Sequence, residues 1–264
     1  MTKRCTWEPS QFLSLLNHHS PEPPFSNLLV QMKKQVASIV SKLLAFNATR
    51  KRNTRNDTLT EIGMNPFISF SESGSEQISR EDARAMLRSG HILVPNVSGF
   101  YHGILRRWFE KFGLGSKCLL ISETKAVAEV FAKHYPATEF ISTDFYLDLQ
   151  PDPKCHVVWD LCSQTPPAEL SGFHSIVCQA TLEHVLDPVQ VFRNLSAILA
   201  EGGYLFIQTH TPAYTYHPYP RDYLRYQPDW FQDVGKHLQC LTLTQLLCID
   251  GHAFAVYRRP MRKG

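Results

Sequence analysis

Carboxylates and imidazoles gather in the second half of this 264-residue chain, and they stand just after short apolar runs. Ser122, Glu123 and Thr124 follow the run 117–121, Asp144 follows 139–142, and Asp160 with Leu161 follows 155–159. Gln179, Ala180, Thr181, Leu182, Glu183 and His184 follow 173–178. An ionised carboxylate only accepts hydrogen bonds, so Asp144 past one strand suits a pair of sugar hydroxyls, and Asp160 past the next suits an adenine amine. The other reading of each Asp is a loop or helix cap. His184, His210, His217 and Asp222 carry groups able to move a proton. Between them runs an aromatic and polar segment with Tyr214, Tyr216, Tyr219, Tyr223, Arg225 and Tyr226. Such a segment either forms a lid with aromatic faces for a cationic or planar ligand, or closes the end of the fold with Arg225 paired to Asp222.

These residues need a scaffold that brings strand ends together. The runs 117–121, 139–142, 155–159, 173–178 and 204–208 read as short buried strands. The segments 100–112, 125–134, 187–200 and 228–238 read as helices, with Gly202-Gly203 expected as the C-cap of the third of them. Strands alternating with helices predict an α/β fold: a Rossmann-like doubly wound sheet, mostly parallel, with helices on both faces. The last two strands, 240–248 and 252–257, lie so close together that one is expected to join antiparallel. In such a sheet, ligands bind beyond the carboxyl ends of the strands, where the strand order reverses.

Residues 1–95 read as an N-terminal helical extension and 96–264 as the α/β domain. Leu28, Leu29, Met32, Val36, Ile39, Val40, Leu43 and Leu44 form one helical stripe, and Arg50, Lys51, Arg52 and Arg55 follow it. Ser71 to Gln77 reads as a loop, and 79–87 as a helix with Glu81 and Asp82 in its first turn. Residues 1–100 hold 12 Lys/Arg against 8 Asp/Glu, whereas 101–264 hold 15 against 16. The domain is therefore not built to grip nucleic-acid phosphates, and the basic stretch offers at most a peripheral contact. No apolar run approaches the length of a membrane span, and no signal-like segment opens the chain, which predicts a cytoplasmic protein. The odd number of cysteines, seven, without a Cys-x-x-Cys pair reads as buried thiols in a reducing compartment. Clustered Cys/His ligands at short spacing are missing, so no metal is expected.

The stretch Leu182-Glu183-His184-Val185-Leu186-Asp187-Pro188, followed by Leu199-Ala200-Glu201-Gly202-Gly203-Tyr204-Leu205, resembles the class I methyltransferases that use S-adenosylmethionine, in particular their type 11 group. The segment His217-Pro218-Tyr219-Pro220-Arg221-Asp222-Tyr223-Leu224-Arg225-Tyr226 is similar to a loop of one subset of that group. The resemblance spans about residues 99–260. It implies methyl transfer to an acceptor, here a small molecule. It also implies S-adenosylmethionine held by Ser122, Glu123, Thr124, Asp144, Asp160, Leu161 and Gln179. His184, His217 and Asp222 are then the catalytic candidates, and Tyr216, Tyr219, Tyr223 and Arg225 line the acceptor site.

The family's Gly-rich turn is missing: Leu120 holds its acidic position, and Ser122, Thr124 and Ala126 stand for its three glycines. A β-branched Thr124 is expected to be strained if the turn needs a positive φ there. This departure motivates the alternative of a degenerate, methyltransferase-like binding or scaffolding module. A dinucleotide-dependent dehydrogenase fits less well, because pyrophosphate needs bare backbone amides at that turn.

Overall fold

The computed structural model describes residues 67–73, 78–88, 103–145, 155–217 and 221–261. All lie in the second of two compact units, Leu59–Gly264. The amphipathic stripe 28–44, the basic stretch 50–55 and Tyr219 fall outside the described residues.

The described chain runs β1 (Ile68–Ser71), α1 (Arg80–Arg88), α2 (Gly103–Phe112), β2 (Lys117–Ile121), α3 (Lys125–His134), β3 (Glu139–Asp144) and β4 (Val157–Val158). It continues with β5 (Phe173–Gln179), a 3-10 turn (Leu182–His184), α4 (Pro188–Ile198), β6 (Leu199–His210), α5 (Pro228–Leu238), β7 (Thr242–Ile249) and β8 (His252–Arg258). Eight strands form one sheet in the order β1-β7-β8-β6-β5-β2-β3-β4. The five strands from β4 to β6 pair in parallel, whereas β6–β8, β7–β8 and β1–β7 are antiparallel. The doubly wound sheet expected from the alternation is thus present, and of the last two strands β8 is the one that runs antiparallel to β6.

Alternating side chains of β2 decide the layering. Leu119 and Ile121 face one core, with Val191, Phe192 and Leu195 of α4 and Phe231 and Val234 of α5. Cys118 and Leu120 face the other, with Ile104, Leu105, Trp108 and Phe109 of α2 and Val127 and Phe131 of α3. A strand buried on both faces can be apolar throughout, which is why this run reads so plainly. Close packing fixes α5 on the sheet. A Cβ on Gly235 would stand 2.6 Å from the Leu241 carbonyl oxygen and 3.3 Å from Tyr257 Cε1.

Several local expectations are corrected. Helix α4 ends at Ile198, where the Leu199 amide donates to the Leu195 carbonyl, so Gly202-Gly203 is not its C-cap. Gly202, at φ 75°, and Gly203 belong to β6. There the register jumps from Phe173↔Leu199 to Ser175↔Tyr204, and a bulge absorbs the extra residues. The third expected strand shrinks to Val157–Val158. Strand β1 and helix α1 lie within the segment read as an extension, yet β1 pairs with β7, and Arg84 of α1 makes a two-pronged ion pair with Asp250 at 2.8 and 2.9 Å. Asp250 and Gly251 both have positive φ, 45° and 85°, and form the two-residue turn between β7 and β8.

Candidate functional site

The chain leaves β2 for β3 and β4 on one side, then returns to place β5 and β6 on the other. The order therefore reverses at β2/β5, and the crevice for a ligand lies beyond the carboxyl ends of these strands. Every post-strand residue singled out in the sequence stands at that end.

After β2, Ser122 adopts φ 55°, the left-handed conformation usually left to glycine. Thr124 does not: at φ −88° and ψ 163° it is the extended N-cap of α3, and its hydroxyl accepts from the Val127 amide. The expected strain at Thr124 is absent, because this turn needs only one positive φ before the helix begins. The Glu123 amide donates to the Thr143 carbonyl at 3.0 Å, which ties this turn to the end of β3. Asp144 closes β3 half-buried, with Oδ1 accepting from the Phe145 amide at 2.8 Å. Burial pushes its carboxyl above the ordinary value, against the Phe145 hydrogen bond. Asp160 is exposed and accepts from the Cys162 amide at 2.9 Å, whereas Leu161 is buried in the core. Gln179 ends β5, and Ala180 beyond it also takes a positive φ, 46°, its amide held by the Gln208 carbonyl at 2.9 Å. The two left-handed residues, Ser122 and Ala180, thus follow the two strands that flank the reversal.

A second polar group lies beyond β5 and β6. Glu183 is fully buried in the 3-10 turn. Its Oε2 accepts from the Thr209 hydroxyl at 2.6 Å. Three imidazoles approach Oε1: His210 Nδ1 at 2.7 Å, His217 Nε2 at 3.8 Å and His184 Nε2 at 3.9 Å. His210 is the nearest of the three and forms a close pair with Oε1. Burial alone would raise the Glu183 carboxyl. The close His210 ring and the Thr209 hydroxyl outweigh it and hold the group below its ordinary range, so Glu183 is a carboxylate. His184 Nδ1 bonds to the Arg221 carbonyl. His217 Nδ1 lies 3.3 Å from Asp222 Oδ2, and the His217 amide donates to the same oxygen at 2.9 Å. Arg225 pairs with both oxygens of Asp222 and, with burial opposing, holds that carboxyl well below the usual range.

The aromatic segment lines a pocket and pairs Arg225 with Asp222. Tyr214, Tyr216, Tyr223 and Arg225 line an open pocket of about 250 Å³. At the same time Arg225 is committed to Asp222 and to the Thr215 carbonyl at 3.0 Å. The Tyr223 and Leu224 amides bond to the Glu183 carbonyl at 2.8 and 3.2 Å, so this segment is strapped onto the 3-10 turn. His184, His217 and Asp222 are brought together as the sequence reading grouped them. That reading names Glu183 and His210 but not Glu183 as the common centre, and His210 also stacks on Tyr214 with ring centroids 3.6 Å apart. The signal was three histidines within 34 residues of one acidic residue, each at or just past a strand end.

Residues 124–247 match the sequence model of a family described as a methyltransferase domain. This segment is thus similar to a methyltransferase domain. It begins at the Thr124 cap and takes in β3 to β6, the histidine cluster and most of β7. No curated protein matches the sequence. Among solved structures, the chain is similar to a putative methyltransferase from Bacillus halodurans C-125, with 11% identity over 60% of this chain and 99% of that one, at a TM-score of 0.45. It is also similar to a SAM-dependent methyltransferase from Archaeoglobus fulgidus, with 11% identity, 59% and 91% coverage and a TM-score of 0.43. A third is the N-methyltransferase NodS from Bradyrhizobium japonicum in complex with S-adenosyl-L-homocysteine, with 17% identity, 60% and 84% coverage and a TM-score of 0.39. Among the described residues, no helix is long and apolar enough to cross a membrane.

Proposed function

We propose that the domain transfers a methyl group from S-adenosylmethionine to a small-molecule acceptor, as its Leu-Glu-His-Val element of type 11 kind suggests. The observation that carries this reading is the crevice at the β2/β5 reversal, with Asp144 at the end of the neighbouring strand and Ser122 turned left-handed beside it. Asp144 receives the ribose hydroxyls, and Asp160 with Leu161 borders the adenine. Ser122, Glu123 and Thr124 face the amino-acid end, and Gln179 borders the reacting side. Methyl transfer from a sulfonium is an in-line displacement, so alignment of donor and acceptor supplies much of the rate. The open pocket with Tyr214, Tyr216 and Tyr223 offers the acceptor aromatic surface next to the histidine cluster. A proton lost by a hydroxyl acceptor passes to that cluster.

The missing glycines no longer favour a degenerate module, since Ser122 already has the conformation glycine would supply. Calorimetric titration of the full chain with S-adenosylmethionine and then S-adenosylhomocysteine tests the reading. Micromolar binding of both is expected. The absence of binding at millimolar cofactor would overturn it and leave a non-catalytic module.

A further inference from the structure

We propose that Glu183, His184 and His217 form a binding site for one divalent transition-metal ion of the zinc type. Each of the three offers one ligand atom, and these atoms lie within 4.8 Å of one another. The two rings are fixed from behind. The Arg221 carbonyl can only accept, so His184 Nδ1 carries the hydrogen of that bond. Asp222 is a carboxylate held by Arg225, so His217 Nδ1 donates to it. With the hydrogen on Nδ1, each ring turns its Nε2 towards Oε1, at 3.9 Å for His184 and 3.8 Å for His217. This is the arrangement by which outer hydrogen bonds orient histidine ligands at metal sites.

At 3.8 and 3.9 Å a proton on either Nε2 is too far from Oε1 for a hydrogen bond. An ion with bonds of about 2.0–2.2 Å spans such gaps, because ligand atoms around a tetrahedral zinc stand roughly 3.4 Å apart. The Glu183 side chain is 0% exposed, and its Oε1 stands 2.7 Å from His210 Nδ1 on the buried side. A buried carboxylate favours positive charge beside it, and an ion on the His184/His217 side would supply it. Two imidazoles and one carboxylate suit zinc, cobalt or iron(II). Calcium and magnesium prefer full oxygen shells. His210 closes the buried side, whereas the His217 side chain is 33% exposed and leaves a position open to water or an acceptor oxygen. That an acceptor hydroxyl binds there rests on the methyl-transfer reading; the metal site itself does not.

The test uses the full-length chain, freed of metal by dialysis against a chelator and titrated with Co²⁺ and then Zn²⁺. Calorimetry and visible absorption are the readouts. One ion per chain with visible cobalt bands is expected. His217→Ala and Glu183→Gln should each weaken binding at least tenfold. Asp222→Asn, which weakens the support behind His217 together with the Arg225 ion pair, should weaken it by about 10–100-fold. A His18→Ala/His19→Ala control should bind as the wild type does. Circular dichroism checks that the His217→Ala protein is folded, as its half-exposed position predicts. No stoichiometric binding, or equal binding by wild type and folded His217→Ala, overturns the proposal. S-adenosylmethionine titration of the same samples separates the two ideas. A chain that binds the cofactor but no ion refutes the metal alone, and one that binds the ion but no cofactor refutes methyl transfer alone.

Discussion

Replacing Asp144 with Asn pulls cofactor binding and stability in opposite directions. Asn keeps the volume and one oxygen, and that oxygen is already committed to the Phe145 amide at 2.8 Å. What disappears is the charge and the second acceptor, the one available to a ribose hydroxyl. A hydrogen bond to a charged group contributes about 1.5–3 kcal/mol, so the variant should bind S-adenosylmethionine roughly 10- to 150-fold more weakly. Stability should not fall. Burial raises the Asp144 carboxyl in the folded state, so at neutral pH the ionised form costs folding energy that a neutral amide does not. The melting temperature of Asp144→Asn at neutral pH is therefore expected at or above that of the wild type. The same sign governs acid. As pH falls through the raised folded value, the carboxyl is protonated, its burial cost vanishes and cofactor affinity declines, starting at a higher pH than an ordinary carboxylate would give. Calorimetry at neutral and acid pH, with thermal melts of both proteins, measures all of this. A folded variant with wild-type affinity would remove Asp144 from the cofactor site. A variant that melts well below the wild type would refute the argument from burial.

Other perturbations test the frame around the site. Ser122→Gly removes a left-handed penalty of about 1 kcal/mol but adds freedom to the unfolded chain, for a net gain of about 0–1 kcal/mol in chemical denaturation. A loss larger than 1 kcal/mol would mean that the serine side chain holds the turn. Gly235→Ala should destabilise by about 1–3 kcal/mol despite alanine's helix propensity, because its methyl meets the Leu241 carbonyl oxygen. An unchanged melting temperature would show that α5 shifts freely on the sheet. Burial pushes the thiols of Cys118 and Cys178 up to about 12. Mass mapping after treatment with a thiol reagent should therefore find label at the partly exposed Cys162 and Cys240, and at Cys118 and Cys178 only after unfolding. Early labelling of Cys118 would contradict the packing of β2.

The central strands were legible because burial on both faces makes them apolar throughout, as in Cys118-Leu119-Leu120-Ile121. Strand β1 was not, although Ile68-Ser69-Phe70-Ser71 alternates. A four-residue edge strand carries little signal, and its partner β7 lies far along the chain. Gly202-Gly203 misled because a glycine pair after a helix fits a C-cap as well as a bulge. The turn after β2 could be located, but not its dihedral angles: residue type argued for strain at Thr124, while the positive φ belongs to Ser122 alone. The histidine cluster was half legible. His184, His217 and Asp222 were visible as chemistry, but their common centre depends on β5 and β6 lying side by side, which brings Glu183 to Thr209 and His210.

The Asp250-Gly251 turn bears on the order of assembly. Two residues join β7 to β8, so this hairpin closes a very short loop and can form within about 1–10 μs. The parallel pairings of β2, β3, β5 and β6 each wait for a crossover to close, which is slower. Yet the hairpin leaves the ribosome after all of them, and it supplies the antiparallel neighbour of β6. Until it emerges, β6 presents an open edge with Phe206 and Ile207, both fully buried in the finished sheet. Completion of the sheet is therefore a late, rapid event in synthesis, and a chain stalled before residue 242 exposes an adhesive strand.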